Sequence, residues 1–500
     1  MKRKIVLLPL DERPCNAGFP QKLFGSEQLE ILLPPCLGQK KKPADGQALE
    51  AFLLSQCRDA NGLVLSMDML LYGGLLPSRV HNLEAPVVRQ RMELVRQLKK
   101  KFPDLVIYAF QCIMRCPAYS SSDEEPDYYG QWGAQIHQSG DVKHRSMLGL
   151  CSSSALEAAF RDIPEDALED YLNRRAFNLG FNKDTLELVR DGVIDFLVVP
   201  QDDSARYGYT ALDQQEVRSC VIDMHLQSRV LMYPGADEVA LTLLSRMVLS
   251  FEKKCPSVYL KYAATEAVHV IPAYEDRTLG ETVKCHLLAA GCTAADTAAE
   301  ADFILAIDCP AGDMKESVMQ PVRNGEYCVE RNLTEFVLYL QRWVQRGKPV
   351  AVCDNAYANG GDLELIDLMD RLHLLDKVAG YAGWNTSANT LGTAIAQGVC
   401  CLVFGNDRRQ KDFLMLRYVE DVGYCSVVRR YITEHRLEEM GMDYFNVRDQ
   451  QGAMSREVRD RLGQFIQRQL PSLAGHIELT QVKMPWRRMF EADLQVRWVP

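Results

Sequence analysis

The sequence predicts an α/β protein, and three observations carry that prediction. Short runs rich in Val, Ile and Leu alternate with segments whose apolar residues recur near every 3.6 positions. The runs are apolar throughout, as in strands buried on both faces of a parallel sheet. Run after run then ends in a carboxylate followed by small or amide residues. This occurs in IVLLPLDERPCN (5–16), LVLSMDMLLYGG (63–74), FLVVPQDDSARYG (196–208), FILAIDCPAG (303–312) and VAVCDNAYANGGD (350–362).

Further strands are expected at 31–35, 105–110, 230–235, 268–274, 378–384 and 401–405, about eleven in all. Helical spacing covers 87–102, 236–254, 279–291 and 361–375. Eleven strands exceed a plain eight-stranded barrel, so two arrangements remain. One is a (β/α)-barrel-like fold with a small added α/β unit; the other is two successive parallel-sheet α/β domains. The expected organisation is an N-terminal α/β domain, barrel-like, over 1–254, with an insert at 119–182 that reads as a lid or helical insertion. A second α/β unit follows over 255–407, and a helical C-terminal cap with a closing strand over 408–500. No internal repeat or low-complexity tract stands out.

The chain of 500 residues, 47% apolar and 25% charged, has an ordinary globular composition. Its net charge of −10 argues against a broad nucleic-acid or anionic-membrane footprint. The first apolar run stops at Asp11, too soon for a signal sequence, and no stretch reads as a membrane span. The sixteen Cys are scattered, with no Cys-x-x-Cys pair, which fits reduced thiols in the cytoplasm. No His spacing suits zinc, and no P-loop, Gly-x-Gly-x-x-Gly or Gly-x-Ser-x-Gly is present. No cofactor or metal is expected.

Loops after strand C-termini build the ligand sites of parallel α/β folds, so the acidic strand ends are the candidate site. Asp202 and Asp203 are the sharpest signal. Adjacent carboxylates split their pKa values, leaving one protonated as general acid beside an ionised partner. In the alternative reading one caps the following helix and the other pairs with Arg206. Asp11, Glu12, Arg13 and Asn16 crowd the loop after the first strand, as a binding loop or as an Arg13–carboxylate clamp. Asp68 precedes Gly73 and Gly74, which admit a close backbone approach or a turn. Asp354, Asn355 and Tyr357 suit sugar hydroxyls, with Asp362 as a helix cap instead. Trp384, Asn385 and Asn389 could stack and hydrogen-bond a sugar, or Trp384 could be core.

LDERPCN (10–16) and GWNTSANTLG (383–392) resemble the hallmarks of a bacterial domain-of-unknown-function family, a likeness that runs through most of the chain. A more distant resemblance is to O-GlcNAcase-type hexosaminidases, barrel enzymes with an Asp-Asp pair after a mid-barrel strand and later Asp-Asn-Tyr and Asn-Pro-Met segments. Asp202-Asp203 is similar to the pair; Asp354, Asn355, Tyr357 and Asn359 look like the second segment, and Trp384-Asn385 stands near the third. The Tyr-Pro-Val core of the second segment and the Pro-Met of the third are absent here. The resemblance implies that Asp202 polarises a 2-acetamido group, Asp203 protonates the leaving oxygen, and Asp354, Asn355 and Asn385 hold hydroxyls.

The function expected is a glycoside hydrolase acting on small saccharides, N-acetylated ones included, with no nucleic-acid or membrane partner. Two alternatives stand beside it. One is a carboxylate-metal hydrolase or isomerase with Asp11, Asp68, Asp308 and Asp354 as ligands. The other is a non-catalytic sugar- or metabolite-binding protein.

Overall fold

The computed structural model describes residues 2–500. The chain forms two compact units. The first runs to Leu243 and includes Tyr274–Asp276; the second comprises Leu244–Ala273 and Arg277–Pro500.

In the first unit, β1 (Arg3–Leu8), β2 (Leu29–Leu32), β3 (Gly62–Ser66), β4 (Val106–Phe110), β5 (Phe196–Gln201) and β6 (Val230–Pro234) make one sheet. Its order is β2-β1-β3-β4-β5-β6, with every neighbouring pair parallel. The expected alternation holds because these runs are sealed on both faces: all residues of β3 and β5 are buried. Leu53, Val88, Leu98, Leu186 and Val221, from four helices, pack into one core with Val6, Leu8, Leu63 and Leu65.

The second unit contains β7 (Ser257–Tyr262), β8 (Thr293–Ala294), β9 (Phe303–Asp308), β10 (Lys315–Glu316), β11 (Val350–Asp354), β12 (Tyr357–Ala358) and β13 (Gly380–Ala382). Its main sheet, β13-β11-β9-β7-β8, is again parallel throughout, and β10 pairs with β12 at its side. Counted within each unit, both sheets follow the order 2-1-3-4-5, the first with a sixth strand added. Of the two expected arrangements, the parallel-sheet pair is the one observed; no closed barrel is found among the described residues.

The 119–182 insert is helical, with helices Tyr129–Met147, Ser153–Arg161 and Glu165–Arg190. The C-terminal region is helical as expected. Helix Arg408–Arg417 continues through wide π-helical turns (Tyr418–Val428) into Arg429–His435. The closing strand is one of an antiparallel pair, β14 (Ile477–Lys483) and β15 (Asp493–Trp498).

Four local expectations are corrected. Residues 268–274 are not a strand. A short 3₁₀ turn (Thr265–His269) precedes irregular chain, Pro272 lacks a ladder donor, and the Val270 carbonyl accepts from Leu279 N–H at 2.8 Å instead. Residues 401–405 finish the helix Ser387–Phe404, whose all-round burial hides its period. β7 is a strand the hydrophobic pattern missed. Its Lys261 pairs with Glu335 at 2.7 Å and Tyr259 stacks with Tyr339, so polar side chains cover one face. Ser387–Phe404 is also long and apolar enough to cross a membrane by length and composition, yet most of it is buried within its unit. Its Gln397 donates to Tyr381 O, as a core helix would arrange.

Gly73 and Gly74 make a turn. Gly73 ends helix Met67–Tyr72 at φ 89°, and a Cβ there would lie 2.6 Å from Pro43 Cβ and 2.8 Å from Ala44 N. A side chain would suffer both left-handed strain and a backbone clash. Gly73→Ala should therefore cost about 2–4 kcal/mol. Chemical denaturation measures this, and an unchanged midpoint would contradict it.

Candidate functional site

In the first sheet the chain leaves β1 for β2 on one side and returns to β3 on the other. The carboxyl ends of β1 and β3 therefore flank the crevice where doubly wound sheets bind ligands. Asp11 and Asp68 stand there, both buried. The loop after β1 turns through a single π-helical turn opened by Pro14 (Pro14–Gly18), which draws Arg13 and Asn16 onto Asp11. Arg13 Nε donates to Asp11 Oδ2 at 2.8 Å and Asn16 Nδ2 to Asp11 Oδ1 at 2.9 Å. Both side chains also reach Asp237, after β6: Arg13 Nη2 at 2.6 Å and Asn16 Nδ2 at 2.9 Å. The Arg13 clamp is thus present, and it closes over two carboxylates. Burial pushes the Asp237 carboxyl up to about 7 against the pull of Arg13. Glu12 turns the other way and accepts from Lys40 N–H at 2.7 Å.

Asp68 accepts from the Cys112 N–H at 2.9 Å, which ties the end of β3 to the loop after β4. Burial pushes its carboxyl up to about 7. The phenol of Tyr72 is buried nearby with no hydrogen-bond partner, and Asp68's charge raises its pKa further.

Asp202 and Asp203 follow β5 as expected, but neither caps the next helix, which begins after Gly208, nor pairs with Arg206. They are held by two buried guanidiniums. Arg79 Nη2 reaches Asp202 Oδ2 at 2.8 Å, and Arg115 Nη1 reaches Asp203 Oδ2 at 2.8 Å and Asp202 Oδ2 at 3.4 Å. Glu125 and Glu124, from the loop after β4, each bridge the same two arginines. Asp203 adopts φ 43°, left-handed backbone that a non-glycine residue occupies only where its surroundings hold it. Burial, followed by the charge of Asp202, pushes its carboxyl up to about 7. Both side chains keep a little under a fifth of their surface open to solvent. Burial raises the Cys112 thiol, and the nearby charges of Asp68, Asp202 and Asp237 raise it further, so the ends of β3, β5 and β6 converge on this edge.

The second unit gathers its own set. Asp354 ends β11 fully buried; its Oδ2 accepts from Tyr381 Oη at 2.6 Å and from Asp362 N–H at 2.7 Å, while Oδ1 has no partner. Burial and the Asp362 charge push this carboxyl up to about 7. Asn355 donates to Ser387 Oγ at 2.6 Å and leaves Oδ1 unpartnered. Asp362 does cap its helix, accepting from Glu364 N–H, and also binds Arg331, which reaches Asp308 at 2.9 Å. Tyr357 stacks on Tyr327, with ring centroids 4.9 Å apart. Trp384 is core, its indole N–H donating to Thr393 Oγ1 at 3.2 Å, and Asn389 is buried. Asn385, half-buried at φ 52°, accepts from Asn359 N–H through its carbonyl. Asp421, in the π-helical turns, holds the Gly383 N–H at 2.9 Å.

The candidates therefore fall into two groups, one on each sheet. Asp11, Arg13, Asn16, Asp68, Asp202 and Asp203 share the first; Asp354, Asn355, Tyr357, Trp384, Asn385 and Asn389 share the second. Sequence reasoning missed Arg79, Arg115, Glu124, Glu125 and Asp237 in the first, and Arg331, Tyr381 and Asp421 in the second. Arg115 and Asp237 follow strands directly, so the rule that found Asp11 reaches them too. Among the described residues no group of three or more His, Cys, Asp or Glu is arranged to hold a metal ion. All sixteen cysteines are free.

A family model described as "Protein of unknown function (DUF4127)" matches residues 5–495, so the chain belongs to that family. No curated protein matches the sequence.

The Asp68 carboxyl links stability to pH. Its folded pKa, near 7, lies above the ~3.9 of an unfolded Asp, so the folded state binds the extra proton between those values. Stability from this group is full below about pH 4 and is lost as pH rises toward 7. Asp68→Asn keeps an acceptor for Cys112 N–H and removes the titration. Its melting temperature should match the wild type at pH 4.5 and exceed it at pH 8, by a stability difference of a few kcal/mol. Parallel curves across that range would refute the assignment.

Proposed function

We propose that this family member is a glycoside hydrolase of small saccharides, N-acetylated ones included, with Asp203 as general acid and Asp202 as its charged partner. The observation that carries this reading is the state of the pair. Asp203 is raised to about 7, partly open to solvent and held in strained backbone, while Asp202 faces two guanidiniums. A carboxylic acid that keeps its proton near neutrality, beside a carboxyl group fixed by guanidiniums, is the division of labour that glycosidic cleavage needs.

The spacing supports the same chemistry. Both carboxylates reach Arg115 Nη1, so their nearest oxygens lie within about 6 Å and can act together on one bound sugar. Asp203 would protonate the leaving oxygen while Asp202 orients and polarises a 2-acetamido group or stabilises the developing cation. Arg79 and Arg115 fix both carboxylates before substrate arrives, so little reorganisation remains at the moment of reaction. Free thiols throughout the chain fit a reducing compartment, and the cytoplasm is the proposed location.

The general-acid role fixes the pH profile. The active form carries the proton on Asp203, so kcat/KM should fall as pH rises through about 7. Asp203→Asn should lower kcat roughly 10²–10⁴-fold on glycosides with poor leaving groups and far less on activated aryl glycosides. Steady-state kinetics on the two substrate classes decides this, with EDTA present to separate it from a metal-dependent reaction. Equal losses on both classes would remove Asp203 from the acid's role.

A further inference from the structure

The arginine pair beneath Asp202 and Asp203 is unusual in its occupants. The Arg79 and Arg115 side chains are 2% and 7% exposed, and two guanidiniums this close repel unless anions lie between them. Three carboxylates bridge them. Asp202 is fixed to the end of β5, and Glu125 is buried, its Oε1 accepting from Arg79 Nη1 at 3.2 Å and Arg115 Nε at 2.7 Å. Glu124 differs from both. Its Oε2 accepts from Arg79 Nη1 at 3.1 Å and Arg115 Nη2 at 2.7 Å, yet its side chain is 19% exposed.

Glu124 also sits on a stretch without helix or strand, between the short bridge at Ile113 and the helix Tyr129–Met147. That stretch is tied down from outside by charge. Lys40 pairs with Asp123, and Lys41 Nζ donates to the carbonyls of Ser122 and Glu125, each at 2.7 Å. Glu125 and Pro126 beyond Glu124 are buried, and Ser122 before it is exposed.

We infer that Glu124 is an internal stand-in, and that the Arg79–Arg115 pair is an anion subsite that takes the carboxylate of an acidic saccharide when Glu124 swings away. Two forked guanidiniums match a planar carboxylate in both geometry and charge. Exchanging one carboxylate for another leaves the net charge of the cluster unchanged, so the buried arginines are never left uncompensated. The inference rests on the glycosidase reading of Asp202 and Asp203 and narrows its substrate to sugars bearing a carboxylate within reach of that pair. It also assigns the Glu124 side chain as the group that moves, with Glu125 and Asp202 staying on the arginines.

Binding of D-glucuronate to the full-length protein tests this directly, with D-glucose and inorganic phosphate as companion probes. Glu124→Gln keeps a hydrogen-bond acceptor and removes the competing charge. Calorimetry should show it binding glucuronate about tenfold more tightly than the wild type, with glucose unchanged. Amide exchange at residues 122–124 should rise in the wild type when glucuronate is added, as Glu124 is displaced, while 125–127 stay protected. Unchanged glucuronate affinity in the variant, no glucuronate binding to either protein, or preference for phosphate over glucuronate would each overturn the inference. Its failure is distinguishable from that of the glycosidase reading. Turnover of neutral glycosides with no glucuronate effect sinks the subsite alone, and glucuronate binding without turnover of any glycoside sinks the hydrolase alone.

Discussion

The ion clusters at the sheet edges depend on one constraint: buried guanidiniums must be surrounded by carboxylates. Arg13, Arg79 and Arg115 in the first unit, and Arg331 and Arg417 in the second, are all nearly closed to solvent. Each touches two or more carboxyl groups, which come from different parts of the chain except at Arg417, whose partners Glu420 and Asp421 lie one turn along the same helical stretch. Removing a cation from water costs several kcal/mol, and only well-placed anions recover it. The loops after β1, β4, β5 and β6 therefore have little freedom, because each delivers a charge that the others need.

The carboxylates outnumber the arginines, and that surplus sets how the clusters hold protons. Arg13, Arg79 and Arg115 face Asp11, Asp237, Glu124, Glu125, Asp202 and Asp203. Not all six can stay ionised in so little solvent, and Asp203 and Asp237 are among those pushed toward neutral pH. In the second unit Asp354 and Asp421 are raised in the same way around Arg331 and Arg417. A purely structural ion cluster would balance its charges. One that leaves a protonatable acid on the solvent side, as at Asp203, retains a group able to give a proton away.

How much of this was legible in the sequence follows from the range of each interaction. An apolar run and the carboxylate ending it are contiguous, so Asp11, Asp68, Asp202, Asp308 and Asp354 could be read as strand ends. Their partners are not contiguous. Arg79 closes a short helix and meets Asp202 across 123 positions, and Asp421 reaches Gly383 from within a helical rod. Composition gives no sign of either. β7 escaped because its sheet position rests on a Tyr and Lys covering rather than on Val and Ile, and 401–405 misled because a helix buried all round has no polar face to mark its period.

The strained backbone shows where local preference yields to these clusters. Asp203, Asn359 and Asn385 all adopt left-handed conformations, and all three stand in the motifs that follow strands. Asn tolerates such geometry, but Asp203 carries a desolvated carboxyl as well, so two unfavourable features coincide at one residue. If stability alone had shaped this loop, a glycine or asparagine would relieve both. An aspartate there fits the general-acid role proposed for it, and the guanidinium of Arg115 supplies the attraction that holds it.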